Sequence, residues 1–164
     1  MNKKINTILV LILILLLISI VAAYFIEFGL GHKPCKLCIY QRFPYFISIF
    51  LILNILLVKK YIKPTLLLLS LVSLSGSLLA FYHFGIEQGF FNESFVCESN
   101  SLNQDLSKKE ILEQLSQNTI SCKNVTFSIF GLSLASINTI FSLALFYIFI
   151  KIYKKLWKIQ IKKL

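Results

Sequence analysis

Four apolar stretches, each about 20 residues long, constrain this chain more than any other feature. They run from about Ile5 to Ile26, Ile39 to Val58, Thr65 to Phe84 and Phe127 to Ile150. A helix of about 20 apolar residues crosses about 30 Å of hydrocarbon. Only Arg42 and His83 interrupt the stretches with an ionisable basic group, each near one end. The expected fold is therefore an all-α membrane protein, a bundle of four transmembrane helices in a single domain over 1–164. Composition agrees. The 164 residues are 57% hydrophobic and 15% charged, with a mean hydropathy of +0.77. Soluble domains carry about 25% charged residues, so a water-soluble enzyme is excluded as the default, and disorder with it. The first stretch follows Met1-Asn2-Lys3-Lys4 and has a rival reading as a signal peptide. Its apolar run exceeds the about 7–15 residues of such segments, so it is expected to stay as a span.

Charge sets the expected orientation. Lys3-Lys4, Lys59-Lys60-Lys63 and the tail from Lys151 to Lys163 hold only basic residues. All seven acids fall in the two segments of about 27–38 and 85–126. Lysine and arginine mark the cytoplasmic side, so both termini are expected inside and the two acid-bearing loops outside. The net charge of +10 is then accounted for by topology and anionic lipid, with no need of nucleic acid.

All four cysteines lie in the two outside loops. Cys35 and Cys38 form a Cys-x-x-Cys at the entry to the second span, and Cys97 and Cys122 lie in the long loop. Three readings compete. Structural staples suit Cys97 with Cys122, which would close a loop of about 25 residues. They suit Cys35 with Cys38 poorly, because so small a loop restricts little. A zinc site is disfavoured by the spacing and by an oxidising compartment, so no metal is expected. Redox chemistry fits a Cys-x-x-Cys motif, whose thiol pKa can be lowered. The second helix is expected to begin near Cys38, where unpaired N–H groups favour an anion. Arg42, one turn on, favours a thiolate at Cys38 as well. An arginine in a span is expensive without a partner or a task, although snorkelling to headgroups would also accommodate it.

These residues carry a resemblance. Lys33-Pro34-Cys35-Lys36-Leu37-Cys38-Ile39-Tyr40-Gln41-Arg42-Phe43-Pro44-Tyr45 is similar to the signature of the bacterial disulfide bond formation protein B (DsbB) family. The stretches Tyr82 to Gly89 and Phe130 to Asn138 resemble the family's third-span exit and fourth-span entry. The resemblance implies an inner-membrane oxidoreductase that reoxidises a periplasmic DsbA-like thioredoxin-fold oxidase. Electrons would pass through two cysteine pairs to a membrane quinone, either ubiquinone or menaquinone. By position, Cys97 would form the mixed disulfide with the partner and Cys122 would attack Cys35. Cys38 would face the quinone, and Arg42 and His83 would line its site. One departure is Lys123 after Cys122, where the family more often has an acid.

Other features are weaker. Ser107-Lys108-Lys109-Glu110 forms a capping box before a short helix of about 108–117, whose Ile111, Leu112 and Leu115 make an apolar stripe. It is expected to lie on the membrane surface. Ser73, Gly76 and Ser77, and again Gly131 and Ala135, are small residues suited to close helix packing. Trp157 reads as an interface anchor. A proton-coupled exporter would need an acid deep in a span, and the sequence has none there. The bland alternative is a non-catalytic four-span protein with two structural disulfides.

Overall fold

The computed structural model describes residues 3–92, 122–123, 128–129 and 131–161. Four helices in it are long and apolar enough to cross a membrane. Helix α1 spans Lys3–Tyr24 and ends in a π-helical turn, Phe25–Gly29. The second span is built in two pieces, α2 (Lys36–Tyr40) and α3 (Arg42–Val58), with Gln41 at the joint. Helix α4 spans Ile62–Glu87 and α5 spans Leu134–Ile161. The joint follows from Pro44. Proline has no N–H, so the carbonyl four residues back loses its helical donor. The regular ladder is still intact one residue on from Tyr40, where the Gln41 N–H bonds to the Leu37 carbonyl at 3.0 Å.

The observed helices differ from the hydropathic spans at their ends. The second span starts at Lys36, not at Ile39, because Cys35 serves as its N-cap: its backbone is extended (φ −70°, ψ 166°) and its Sγ accepts the Cys38 N–H. The fourth helix starts at Leu134, because the residues before it form a short antiparallel hairpin of β1 (Ser128–Ile129) and β2 (Leu132–Ser133). Gly131 lies in that turn with φ +81°, so it serves the turn and not a helix–helix seam. The short helix expected over 108–117 and Cys97 lie outside the described residues.

Helix α4 is the centre of the bundle and packs along α5 and against α3, while α1 packs on α3. At the end where α1 begins and α5 finishes, the core is apolar. Leu9, Leu16, Ile52, Ile55, Leu66, Leu69 and Phe149 are fully buried there. Trp157 and Lys63 meet at this end, with the lysine Nζ 5.1 Å from the indole ring. Midway, small residues let the helices approach. Ser73, Gly76, Ser77 and Ser142 are buried, and a Cβ on Gly76 would lie 3.2 Å from Pro44 Cβ. Their hydroxyls find carbonyl partners, one within the helix and one across the seam. Ser73 donates to the Leu69 carbonyl and Ser77 to the Thr139 carbonyl. Leu11, Ile18, Phe50, Leu78 and Ile140 face outward, which an apolar solvent tolerates and water does not. The opposite end carries a second, smaller cluster, built on Cys35, Leu37, Ile86 and Cys122.

Candidate functional site

The thiol end is organised by the start of α2. Because Cys35 is the N-cap, its sulfur receives the first helical N–H, that of Cys38, at 3.3 Å. The helix start therefore favours an anion at Cys35, three residues before Cys38, where the sequence placed it. Cys35 and Cys38 are free cysteines with their Sγ atoms 2.9 Å apart, in hydrogen-bond contact through a shared proton. Cys35 already accepts the backbone N–H and faces His83 Nε2 at 3.4 Å, so the shared proton belongs on Cys38. That Cys38 hydrogen bond, followed by His83, lowers the Cys35 thiol to about 4, against the burial that pushes it up.

Cys122 comes to the same place. It is buried and disulfide-bonded. Cys35 Sγ, a ring nitrogen of His83 and Cys122 Sγ all lie within 4.8 Å of one another. By distance alone this is a metal-donor grouping. A sulfur in a disulfide offers no thiolate, however, so in this state Cys122 is no metal ligand of the usual kind. What the geometry does bring together is a disulfide sulfur and a stabilised thiol from a different pair, at the approach to exchange range.

His83 is buried, with 2% of its surface exposed. Its Nε2 lies 3.7 Å from Glu87 Oε1, one turn further along α4. Its Nδ1 lies 2.8 Å from Gln41 Nε2. Gln41 Oε1 accepts from Asn138 Nδ2 at 2.6 Å. Asn138 Oδ1 accepts in turn from the hydroxyls of Tyr45 and Ser142. A continuous chain of hydrogen bonds therefore runs from α5 through the α2–α3 joint to the thiol. Among the described residues, sequence reading singled out only His83 and Cys35 of this chain for chemistry. The signal available for the rest was helical spacing: Gln41 with Tyr45, His83 with Glu87 and Asn138 with Ser142 are all i,i+4 pairs.

Arg42 lies on the other side of the joint. Its Nη1 is 2.6 Å from Glu27 Oε2, and its guanidinium stacks 4.7 Å from the Tyr24 ring centroid. Glu27 is placed for this by the π-helical turn at the end of α1. Both residues line a cavity of about 320 Å³ between α1, the second span and α5. Its walls are apolar, with Ile20, Ala23, Ile26, Ile137 and Phe141. Its polar groups include Cys38, Gln41, Tyr45 and Asn138. His83 is not among the lining residues and meets the cavity through Gln41 and, by way of Cys35, through Cys38. A flat apolar ring with polar oxygens, such as a quinone, fits this chemistry: apolar walls, amide and hydroxyl groups, one cation and one thiol. The volume is in the range of small-ligand sites.

Comparison with known proteins places the chain in a family. The family model described as "Disulfide bond formation protein DsbB" matches residues 5–152. A protein of Rickettsia prowazekii (strain Madrid E), named "Uncharacterized protein RP370", is 36% identical over 141 residues, covering 83% of this chain and 82% of its own. No solved structure matches. With four membrane-length helices, a Cys-x-x-Cys whose buried first cysteine lies beside a disulfide-bonded one, and a family match over nearly its whole length, this chain belongs to the DsbB family of disulfide bond formation proteins.

Proposed function

We propose that this protein is a quinone-dependent oxidoreductase of the bacterial inner membrane. It reoxidises a periplasmic DsbA-like thioredoxin-fold oxidase and so sustains disulfide formation in exported proteins. Both termini lie in the cytoplasm and both cysteine-bearing loops in the periplasm. The observation that supports this reading most is the approach of Cys35 Sγ and Cys122 Sγ to within 4.8 Å, one a free thiol and the other in a disulfide.

Cys97 takes the partner's thiolate in a mixed disulfide and Cys122 is released. Cys122 then attacks Cys35 of an oxidised Cys35–Cys38 pair, and Cys38 leaves as the thiolate. Each exchange needs an attacking thiolate and a stabilised leaving sulfur. Cys38 and Arg42 border the cavity that would hold quinone, with Gln41, Tyr45 and Asn138 beside them. Quinone, when bound there, supplies the acceptor for the two electrons and two protons released as Cys35 and Cys38 become a disulfide. Arg42 provides a fixed positive charge at the cavity, and Glu27 holds it in place. The contacts of His83 favour a task at Cys35 over one in the cavity.

The test is purified protein with added quinone and a reduced DsbA-like oxidase, with quinone reduction followed by absorbance. Loss of turnover in each of Cys35→Ser, Cys38→Ser, Cys97→Ser and Cys122→Ser is expected, with a partner adduct trapped through Cys97. Failure of the folded wild type to reduce either quinone would overturn the reading and favour two structural disulfides.

A further inference from the structure

A neutral imidazole has one ring proton. At His83, Nε2 faces two acceptors, the Cys35 sulfur at 3.4 Å and Glu87 Oε1 at 3.7 Å. Both draw the proton to Nε2. Nδ1 is then a bare lone pair inside the bundle and needs a donor, and the Gln41 amide supplies one at 2.8 Å. Gln41 is itself 93% buried and its amide is not free to turn. Its carbonyl oxygen is held by Asn138, whose own oxygen takes two hydroxyl donors, from Tyr45 and Ser142. Every amide in the chain therefore has one consistent orientation, and all the donors point toward the sulfur.

From this polarity we infer that Gln41 is a positioning residue for thiol exchange: held by Asn138, it fixes His83 as the Nε2–H tautomer, so that the imidazole donates to the Cys35 sulfur. The inference rests on the proposed relay for its consequence, though not for its geometry. In the relay, the partner's second thiolate attacks the mixed disulfide and takes the partner away oxidised, which frees Cys97 as a thiolate; Cys97 then attacks Cys122 of the Cys122–Cys35 disulfide. The Cys97–Cys122 bond forms, the Cys122–Cys35 bond breaks, and Cys35 departs with the electron pair as a thiolate. His83 Nε2–H stabilises that departing charge together with the Cys38 N–H. The opposite tautomer would turn a nitrogen lone pair toward the sulfur and repel it. The state in the structure, with Cys35 and Cys38 free and Cys122 in a disulfide, is the product of that step. The titratable groups facing His83 are Glu87 from its own helix and Cys35 from the segment before α2; Cys122, whose sulfur is in a disulfide, bonds the ring through its backbone. Beyond Gln41 stand Arg42 and Glu27, which pair with each other.

The test uses the full chain in detergent, labelled with ¹⁵N-histidine. The protein has two histidines, so His32→Gln assigns the His83 signals. The wild type should show His83 protonated at Nε2. Gln41→Met, similar in size and without an amide, should give a mixture of tautomers and move the midpoint of Cys35 alkylation up by about one pH unit, the worth of one hydrogen bond to a charged group. Gln41→Glu should restore the low midpoint, with both ring nitrogens protonated. A wild type protonated at Nδ1 alone overturns the inference. So does a Gln41→Met protein whose tautomer and midpoint are both unchanged. If Gln41→Met does not fold, Asn138→Leu reads the same two quantities. The tautomer is read without partner or quinone, so loss of the relay reading leaves this result standing.

Discussion

The electrostatics of Cys35 give the sharpest prediction. The structure surrounds its sulfur with the Cys38 thiol at 2.9 Å, the Cys38 N–H at 3.3 Å and His83 Nε2 at 3.4 Å, and the thiol is lowered to about 4. A thiol with that value is ionised throughout the range from about pH 6 to about pH 8, so its alkylation rate should be flat there. An ordinary thiol, with a pKa of about 8.5, gains about 75-fold in thiolate over the same range. The sign is that of a depressed acid: the thiolate is present above the lowered value and is lost only as pH falls through it. Cys38→Ala removes the largest stabilising contact but keeps the backbone N–H and His83. One hydrogen bond to a charged group is worth about 1.5–3 kcal/mol, or about one to two pH units, so the profile should begin to bend within the measured range. The assay is iodoacetamide labelling of the dithiol form without quinone, read by mass spectrometry. Tryptic cleavage after Lys36 separates Cys35 from Cys38. A wild-type rate that climbs about tenfold per pH unit at low pH, as for a free thiol, refutes the assignment of the anion to Cys35.

Three further outcomes are expected. Arg42→Lys keeps the charge but loses the planar fork that pairs with Glu27 and stacks on Tyr24; KM for quinone should rise about tenfold, or about 1.4 kcal/mol, with partner exchange unaffected, and an unchanged KM would remove Arg42 from the cavity's task. Gly76→Val places bulk where a Cβ already meets Pro44 at 3.2 Å; overpacking of about 1–3 kcal/mol should appear as a lower unfolding temperature in detergent, and full stability would show that the seam can open. Orientation is checked by single cysteines in a cysteine-free background: Lys60→Cys should react with an impermeant maleimide only from the cytoplasmic side, and Lys33→Cys only from the periplasmic side.

The four spans were legible because hydrocarbon imposes one demand along a whole helix, and uninterrupted apolar runs record it. Their ends were not, because they are set by single groups that hydropathy averages away. Pro44 divides the second span at Gln41, the Cys35 sulfur starts it early, and Gly131 turns a hairpin where hydropathy continued the fourth span. The count and placement of the cysteines drew attention to Cys35 and Cys122, which the fold brings to within 4.8 Å of each other. The polar chain behind them was not legible, since one glutamine and one asparagine in apolar sequence look incidental until the fold brings residues 41, 83 and 138 together. Glu27 and Glu87 read as loop acids, yet each sits on the last turn of a helix, facing Arg42 and His83.

Asn138 tests whether that polar chain acts as one unit. It takes hydroxyl donors from Tyr45 and Ser142 and donates to Gln41. Counting three lost bonds for Asn138→Leu would overstate the cost. Ser142 can turn to a carbonyl one turn back, as Ser73 does. Tyr45 borders the cavity and can find a partner there. Gln41 Oε1 has neither escape, so the expected loss is that of one buried unsatisfied amide, about 1–3 kcal/mol. In a Gln41→Met background that oxygen no longer exists, and the same Asn138→Leu change should cost far less. A double-mutant cycle on unfolding in detergent should therefore return a coupling of about 1 kcal/mol or more, within the range for residues sharing a network. Additive effects would mean that the Asn138–Gln41 bond carries no energy, and His83 would lose the support that orients it.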